Sequence, residues 1–311
     1  MKTIKHGFSR RQFLKTSGAA SLMCSLAPGF TVAAESAVIR KTIPSSGERL
    51  SVIGLGTSRT FDVDSDNVIK SPLMDVMQAF FDNDGQLIDS SPMYGSAETV
   101  TGALVKRAIN RQGLFTATKV WTNGRGEGIK QMERSMRRLG VEQIDLMQIH
   151  NLRDWQTHID TLVDWKTEGR IRYIGITTSH GRYHDELEEI LLQLPLDFVQ
   201  FSYNILNRTA EQRLLPIARE KGIATLINRP YQRGSLFRKV KGKPLPAWAA
   251  EFDCASWGQF FLKFIAAHPA VTCIIPATSK LKHMVDNMAA GYGRLPDEPT
   301  RQRMIRLIET L

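Results

Sequence analysis

From Leu50 onward the chain alternates short apolar or β-branched runs with amphipathic stretches of helical length, and it does so eight times. Short apolar runs bounded by turn residues predict strands, and apolar residues at helical spacing predict helices. The predicted strands are residues 50–55, 86–89, 115–120, 144–150, 173–177, 198–201, 224–228 and 272–275. The predicted helices are residues 73–83, 97–110, 128–139, 154–168, 184–194, 209–221, 255–267 and 280–290. Eight strands, each followed by a helix, predict one closed parallel barrel of the α/β class, a (β/α)8 or TIM barrel.

Two segments exceed this repeat. Residues 231–249 form a basic stretch with glycine and proline after the seventh strand, which predicts an extra loop, and residues 299–311 predict a closing helix. No GxGxxG follows the first strand, which argues against an open dinucleotide-binding sheet. No Ser/Gly/Pro-rich linker divides the chain, so we expect residues 35–311 to form a single barrel domain.

The first residues have the layout of an export signal. Residues 9–15 read SRRQFLK, a weakly apolar stretch follows over residues 18–32, and Ala33 and Ala34 provide small residues for cleavage. This order is typical of a twin-arginine signal, which we predict over residues 1–34. Serine, glycine and proline interrupt the apolar stretch well before the roughly 18 clean residues that a membrane anchor needs. The expected partner is the twin-arginine export machinery, and the expected location is periplasmic or otherwise exported.

Charge argues against one class of partner. The formal net charge is +10, and the leader holds five basic residues and no acid, so its removal leaves +5. No basic stripe is interleaved with aromatic residues, and we therefore expect no nucleic-acid partner. Cys254 and Cys273 remain after cleavage, and Cys273 lies in an apolar run typical of a packed strand. An exported protein can form a disulfide, but the spacing does not decide whether these two pair. We expect no metal site.

Four polar residues lie where predicted strands end: Asp89, Tyr94, Lys119 and His150. Carboxyl ends of parallel strands meet at one rim of a barrel, so we expect these side chains to converge. A carbonyl that accepts hydride develops negative charge on oxygen and needs a proton donor aimed at it. A phenol with a pKa near 10 is a reluctant acid, and a neighbouring ammonium favours its ionisation. Each residue alone would be an ordinary strand-end residue, but together they predict proton transfer to a carbonyl.

Motifs around these residues resemble the aldo-keto reductase family. The motifs are GLGT at 54–57, Asp-Ser-Ser-Pro-Met-Tyr-Gly at 89–95, TK at 118–119, QIHN at 148–151, QFSYN at 200–204 and IPATSK at 275–280. The resemblance covers essentially the whole chain after the leader. It implies that Tyr94 is the general acid and that Lys119 tunes it. It also implies that Asp89 holds the lysine and that His150 orients the carbonyl.

The resemblance also implies a nicotinamide cofactor, NADPH with NADH as the alternative. It assigns Gly56, Thr57 and Gln200 to the cofactor site, with Gln200 at the carboxamide. The segment 228–236 would follow the pyrophosphate. The adenosine end would meet Thr278, Ser279, Lys280, His283 and Asn287. A cation beside Thr278 suits a 2′-phosphate, and Lys280 is the candidate for it.

The sequence departs from the family pattern at three places. Thr177 and Thr178 stand where the family commonly has Ser-Asn to hold the carboxamide. Asn228 stands where an aromatic ring commonly stacks on the nicotinamide, with Tyr231 as the nearest substitute. Arg229 replaces a small hydroxyl residue and is positioned to contact the pyrophosphate. The nicotinamide end of the site is therefore expected to differ from the family pattern.

These observations predict an exported enzyme that reduces a small-molecule aldehyde or ketone to an alcohol with NADPH. Trp121, beside the lysine, is a candidate to line the substrate pocket. One alternative is a cofactor-occupied sensor or binding subunit with little turnover. A second alternative is lyase or isomerase chemistry that uses the Tyr/Lys pair without nicotinamide. The sequence does not decide the substrate or the oligomeric state.

Overall fold

Eight parallel strands form the predicted barrel in the computed structural model, which describes residues 37–311. The barrel strands are β3 (Leu55–Gly56), β4 (Leu87–Asp89), β5 (Phe115–Val120), β6 (Ile144–His150), β7 (Ile171–Thr177), β8 (Phe198–Ser202), β9 (Ala224–Asn228) and β10 (Cys273–Ile274). Each strand pairs with the next in chain order, and bridges from Ile53 to Ile274 and from Gly56 to Ala277 join the two ends. The predicted fold class is confirmed. The predicted signal at residues 1–34 lies outside the described residues.

Helices surround the barrel. They are α1 (Pro72–Asp82), α2 (Ala97–Arg107), α3 (Arg125–Leu139), α4 (Trp155–Thr167), α5 (His184–Gln193), α6 (Leu214–Lys221), α7 (Ser235–Lys239), α8 (Trp257–Ala266), α9 (Leu281–Ala289) and α10 (Glu298–Thr310). Short 3-10 helices cover Val68–Lys70, Thr209–Glu211, Gln232–Gly234 and Ala247–Phe252. Across residues 37–311, no helix has both the length and the apolar character required to cross a membrane.

The first predicted strand, residues 50–55, is wrong as a single element. Strands β1 (Arg40–Thr42) and β2 (Arg49–Ser51) form an antiparallel hairpin outside the barrel sheet, and only β3 joins the barrel. Gly54 lies between the two, and a Cβ there would lie 2.8 Å from the carbonyl oxygen of Leu87. The chain passes so close to β4 at this point that only glycine fits, and the apolar run therefore spans a bend.

The two additional segments are present. The insertion after β9 contains α7 and is more helical than the loop that the sequence predicts. Helix α10 begins after Asp297, whose carboxylate accepts a hydrogen bond from Thr300 N at 2.9 Å, as an N-cap should. Its buried Arg301 donates to the Tyr203 hydroxyl at 2.8 Å and to Glu211 at 2.7 Å. This network fastens the closing helix to the segment after β8.

Apolar side chains fill the barrel interior and leave its carboxyl-end rim to polar residues. The interior cluster includes Phe115, Leu146, Tyr173 and Phe198. A larger apolar cluster packs the outer faces of the strands against the helices. Cys254 and Cys273 are buried free thiols, so the structure contains no disulfide between them. The core thereby fixes the strand ends on which the polar residues stand.

Candidate active site

A pocket of about 590 Å³ opens at the carboxyl ends of the barrel strands. Asp89 ends β4, Tyr94 follows it in the next loop, Lys119 lies one residue before the end of β5, and His150 ends β6. The structure brings these four predicted residues together. Asp89, Tyr94 and His150 line the pocket, while Lys119 is fully buried behind them.

The ion pair between Asp89 and Lys119 is buried, and both side chains make further hydrogen bonds. Lys119 Nζ donates to Asp89 Oδ2 at 2.7 Å and to the carbonyl of Ser90 at 2.6 Å. The other carboxylate oxygen of Asp89 accepts from Gln148 Nε2 at 2.9 Å and from Gln200 Nε2 at 3.1 Å. Burial disfavours the ammonium, but the neighbouring Asp89 carboxylate opposes this effect, and the pKa of Lys119 is raised. The lysine is therefore held charged.

Tyr94 lies between the lysine and the pocket. Lys119 Nζ is 5.2 Å from the centroid of the Tyr94 ring, and the rings of Tyr94 and His150 form a T-shaped pair with centroids 5.7 Å apart. Burial raises the pKa of Tyr94 above its ordinary value of 10, while Lys119 opposes the shift. The sequence predicts that Lys119 lowers the pKa of Tyr94. It does not reveal that the opposite effect of burial on this pKa is larger. Tyr94 therefore keeps its proton at neutral pH.

A rigid turn sets the position of Tyr94. Ser91 Oγ accepts from Met93 N at 3.2 Å, and the Ser91 carbonyl accepts from Tyr94 N at 2.9 Å. Gly95 follows with a φ of +61°, where a Cβ would collide with the carboxylate of Asp62. That carboxylate accepts from Ser96 N at 3.0 Å. The motif at residues 89–95 is thus the sequence of a turn that holds the phenol against the ion pair.

His150 is neutral. Burial first, and then the charge of Lys119, lower the pKa of His150 to about 2. Its Nδ1 lies 3.0 Å from Ser91 Oγ, and both residues are buried. The Ser91 hydroxyl already accepts from Met93 N, so its own proton is free to be donated to Nδ1. With Ser91 as the donor, the imidazole hydrogen lies on Nε2.

The residues predicted to bind cofactor divide into two groups. Those that line the pocket are Gly56, Thr57, Thr177, Thr178, Gln200, Arg229 and Tyr231. Those that lie outside it are Thr278, Ser279, Lys280, His283 and Asn287. Ser279 lines a second, more open cavity of about 540 Å³, and Arg59 lines both cavities. A ligand that extends from the first cavity past Arg59 would reach the Ser279–Lys280 segment.

Several of these side chains already have protein partners. Thr57 Oγ1 donates to the carbonyl of Asp89 at 3.0 Å, and Thr177 Oγ1 accepts from Asn151 N at 3.2 Å. Both hydroxyls therefore hold neighbouring strand ends together. Thr178 differs, because its hydroxyl is buried in the pocket wall with no hydrogen-bond partner among the described residues.

Tyr231, the nearest substitute for the missing aromatic residue, lines the pocket and is also packed and hydrogen-bonded within the protein. Its ring packs on Phe237 at a centroid distance of 4.8 Å, and its hydroxyl donates to Asn287 Oδ1 at 2.6 Å. Asn228, at the aromatic position, donates from Nδ2 to the Thr178 carbonyl at 3.0 Å. Trp121 is absent from the pocket lining and lies under the guanidinium of Arg153.

Sequence reasoning missed a cluster of cationic residues at the rim, together with Ser91 and Gln148. The cluster consists of Arg59, Arg229 and Arg233 around His180, with Arg182 outside the pocket lining; Arg229 is a predicted residue, and Arg233 lies in the predicted segment 228–236. Arg59 directly follows the GLGT motif and Ser58, and Arg233 lies in the basic insertion. Their positions beside these segments are the sequence signal that could have identified them as site residues. Loop residues of opposite halves of the barrel meet only once the fold is closed.

The model of the aldo/keto reductase family matches residues 52–302, which is most of the chain. The chain belongs to the aldo/keto reductase family. The model of a twin-arginine translocation signal matches residues 7–27, and it supports export by that pathway. The family and the signal that the sequence predicts are both confirmed.

This aldo/keto reductase is similar to curated proteins over part of its length. It is 28% identical to aldo-keto reductase YhdN of Bacillus subtilis, over 64% of this chain and 64% of that protein. It is 29% identical to the NADH-specific methylglyoxal reductase of Escherichia coli, over 52% of this chain and 57% of that protein. The chain thus spans less than two thirds of the length of these relatives.

A solved aldo-keto reductase from Klebsiella pneumoniae in complex with NADPH superposes with a TM-score of 0.71. It is 22% identical to this aldo/keto reductase and is matched over 88% of this chain and 96% of that one. At this identity the similarity establishes the shared barrel fold.

Proposed function

We propose that this aldo/keto reductase is an exported enzyme that reduces an aldehyde or ketone to an alcohol with NADPH, with NADH as the alternative cofactor. One observation carries the proposal: Asp89, Tyr94 and His150 line one pocket, and Lys119 lies buried behind them in an ion pair with Asp89. The Escherichia coli relative is named as a methylglyoxal reductase, a name that fits carbonyl reduction. The mature domain would be residues 35–311, and the location would be periplasmic or otherwise exported.

The pocket fits a nicotinamide cofactor. The unpartnered hydroxyl of Thr178 and the amide of Gln200 lie on its wall, where a carboxamide needs a donor and an acceptor. Arg229 and Arg59 are free of carboxylate partners within residues 37–311 and suit the pyrophosphate, while Lys280 suits a 2′-phosphate. When bound, the cofactor would supply the hydride.

The protein residues would supply the proton and its control. Tyr94 would donate its phenolic proton to the carbonyl oxygen as negative charge develops there. Lys119 would stabilise the resulting phenolate, and Asp89 would keep the ammonium charged and in place. His150 would donate from Nε2 to the same oxygen and orient the carbonyl, while Ser91 fixes the tautomer of the imidazole.

A second candidate function is a cofactor-occupied sensor or binding subunit with little turnover. The export signal favours it, because no NADPH pool is expected outside the cytoplasm. The discriminating experiment purifies the mature protein and examines it by near-ultraviolet absorbance and mass spectrometry, then mixes it with NADPH and a reactive aldehyde. Alcohol formation supports the reductase. Retained nicotinamide with no alcohol from varied carbonyls supports the sensor, and no affinity for either cofactor refutes both.

Lys280 provides a test of cofactor choice. Lys280→Ala should weaken NADPH binding by about tenfold and leave NADH binding nearly unchanged, because one charge-assisted contact to the 2′-phosphate is lost. Fluorescence titration of both cofactors measures this. Lys282→Ala is the matched control, since Lys282 is an exposed lysine in α9, two residues after Lys280. Equal losses for NADPH and NADH would remove Lys280 from the 2′-phosphate site.

A further inference from the structure

A buried group of polar side chains lies inside the barrel, directly beneath the pocket. It consists of Asp89 on β4, Gln148 on β6 and Gln200 on β8, which are 2%, 0% and 3% exposed. Both amides donate to the same oxygen of Asp89, Oδ1, from Gln148 Nε2 at 2.9 Å and from Gln200 Nε2 at 3.1 Å. The other oxygen, Oδ2, accepts from Lys119. The carboxylate oxygen that does not contact the lysine therefore has two amide donors.

The two amides differ in their access to the pocket. Gln200 lines it, and Gln148 does not. Gln148 stands two residues before His150 on β6, so it faces the same side of the strand one layer deeper. A ligand in the pocket can therefore contact Gln200, whereas Gln148 remains available to Asp89 whatever the pocket holds.

Asp89 sets the orientation of the Gln148 amide at the expense of the amide oxygen. Oε1 of Gln148 is buried and has no hydrogen-bond partner within residues 37–311. Turning the amide over would direct this oxygen at the Asp89 carboxylate, and only the Nε2 side can donate. A buried amide oxygen without a partner costs free energy, so the contact with Asp89 must outweigh that cost.

A glycine on the strand between the two glutamines makes room for this arrangement. Gly175 on β7 is in register with Gln148 on β6 and with Phe198 on β8. A Cβ at Gly175 would lie 2.9 Å from Gln148 Cγ and 3.3 Å from Phe198 Cβ. The Gln148 side chain thus crosses the space that a side chain on β7 would fill, and glycine in a strand is typical of such a close approach.

Two donors on one oxygen allow one of them to change partner. Removing a donor from a buried carboxylate costs free energy, so Gln200 can turn toward a ligand more easily if Asp89 Oδ1 keeps another donor. Gln148 is that donor. Without it, Gln200 would be the only side chain of the described region that donates to Oδ1, and Asp89 would hold it more tightly.

We propose that Gln148 is a positioning residue for the nicotinamide end of the cofactor: it satisfies Asp89 and thereby allows Gln200 to bind the carboxamide. This inference rests on the proposed function, in which Gln200 meets the carboxamide. It extends that function by giving a role to a residue outside the pocket, which acts through Asp89 and Gln200. Carboxamide binding is thereby coupled to the ion pair beside Tyr94.

A pair of ligands isolates the contribution of the nicotinamide. Calorimetry compares NADP⁺ with 2′-phospho-ADP-ribose, which lacks only the nicotinamide, and the ratio of their dissociation constants is the quantity followed. Gln148→Met keeps the length of the side chain and removes its donor. We expect NADP⁺ to bind about tenfold more weakly to this variant, and 2′-phospho-ADP-ribose to bind within about twofold of wild type. Unchanged binding of the second ligand also shows that the variant is folded.

Gln259→Met is the matched control. Gln259 is buried, and its Nε2 donates to Asp286 Oδ1 at 2.8 Å between α8 and α9, so the substitution removes the same kind of hydrogen bond away from the pocket. Its ligand ratio should equal that of wild type. If Gln148→Met does not fold, Gln148→Asn replaces it, because the shorter amide cannot reach Asp89 and should cause the same loss.

A double-mutant cycle tests whether Gln148 acts through Gln200. Gln200→Met should lower the ratio by itself, and Gln148→Met/Gln200→Met should lower it no further. Multiplying losses in the double variant would mean that Gln148 acts independently of Gln200, and the inference would be overturned. A ratio within about twofold of wild type in Gln148→Met would overturn it as well, since a lost donor on a carboxylate should cost more.

Reduction of a reactive aldehyde, measured with NADPH on the wild-type protein, separates this inference from the proposed function. If the aldehyde is reduced and Gln148→Met keeps the wild-type ligand ratio, the reductase proposal stands and the role of Gln148 is wrong. If the ratio falls as expected while no aldehyde is reduced, the role of Gln148 in cofactor binding stands and the reductase proposal fails. If NADP⁺ does not bind the wild-type protein, both are refuted.

Discussion

Tyr94→Phe is expected to slow carbonyl reduction by at least about 100-fold, because it removes the transferable proton and keeps the ring that packs beside His150. Cofactor affinity should change little, since the residues proposed to hold the cofactor are unchanged. The measurement is single-turnover hydride transfer with bound NADPH and a reactive aldehyde. Tyr292→Phe is the matched control, because its hydroxyl contacts Asp84 rather than the pocket. A Tyr94→Phe rate within a few-fold of wild type would exclude Tyr94 as the acid.

The pH profile of the wild-type protein provides a second reading of the same assignment. His150 is neutral above a pKa of about 2, so its titration should leave the reduction rate constant from about pH 5 to 8. Burial raises the pKa of Tyr94, so the protonated acid should persist to a pH above its ordinary value of 10. The rate should then fall as pH rises through that pKa. A step near the ordinary histidine value of 6.5 would show that a histidine controls the chemistry.

The barrel was predictable because its signal is local. Each strand and each helix has its own periodicity, and eight repeats in alternation leave few closed arrangements. The exception is the first strand, where an apolar run continues through Gly54 although the chain bends there. Periodicity does not report a bend that is set by the approach of another strand. The helix within the insertion after β9 was missed because glycine and proline suggested a loop.

The site residues that belong to sequence motifs could be predicted. Asp89, Tyr94, Lys119 and His150 each lie at or just beyond the end of a recognisable strand, and the parallel barrel brings these strand ends to one rim. The orientation of Tyr231 toward Asn287 depends on packing against Phe237, which is set by tertiary contacts. The cationic cluster joins three loops that are far apart in sequence, and charge at each loop alone looks like ordinary solvated surface.

Removing Lys119 alone should cost several kcal/mol of folding stability as well as catalytic activity. Lys119→Met leaves the Asp89 carboxylate buried, with only the amides of Gln148 and Gln200 as side-chain donors. Breaking a buried pair in this way costs about 3–5 kcal/mol of unfolding free energy. Urea unfolding at neutral pH measures the loss. The same variant should also lose reductase activity, because the phenolate formed at Tyr94 has no cation beside it.

A double-mutant cycle separates the two effects. The double variant Asp89→Asn/Lys119→Met removes both charges. Its loss of unfolding free energy should therefore be smaller, by about 2–3 kcal/mol, than the sum of the losses in the two single variants. Activity should stay lost, because the tyrosine still lacks its ammonium. Lys263→Met is the control, since Lys263 is also buried but donates to the carbonyls of Tyr292 and Arg294. In the double variant Asp89→Asn/Lys263→Met, the two losses of unfolding free energy should simply add. Additive losses for the Asp89–Lys119 cycle, within about 0.5 kcal/mol, would mean that the pair does not act as a unit.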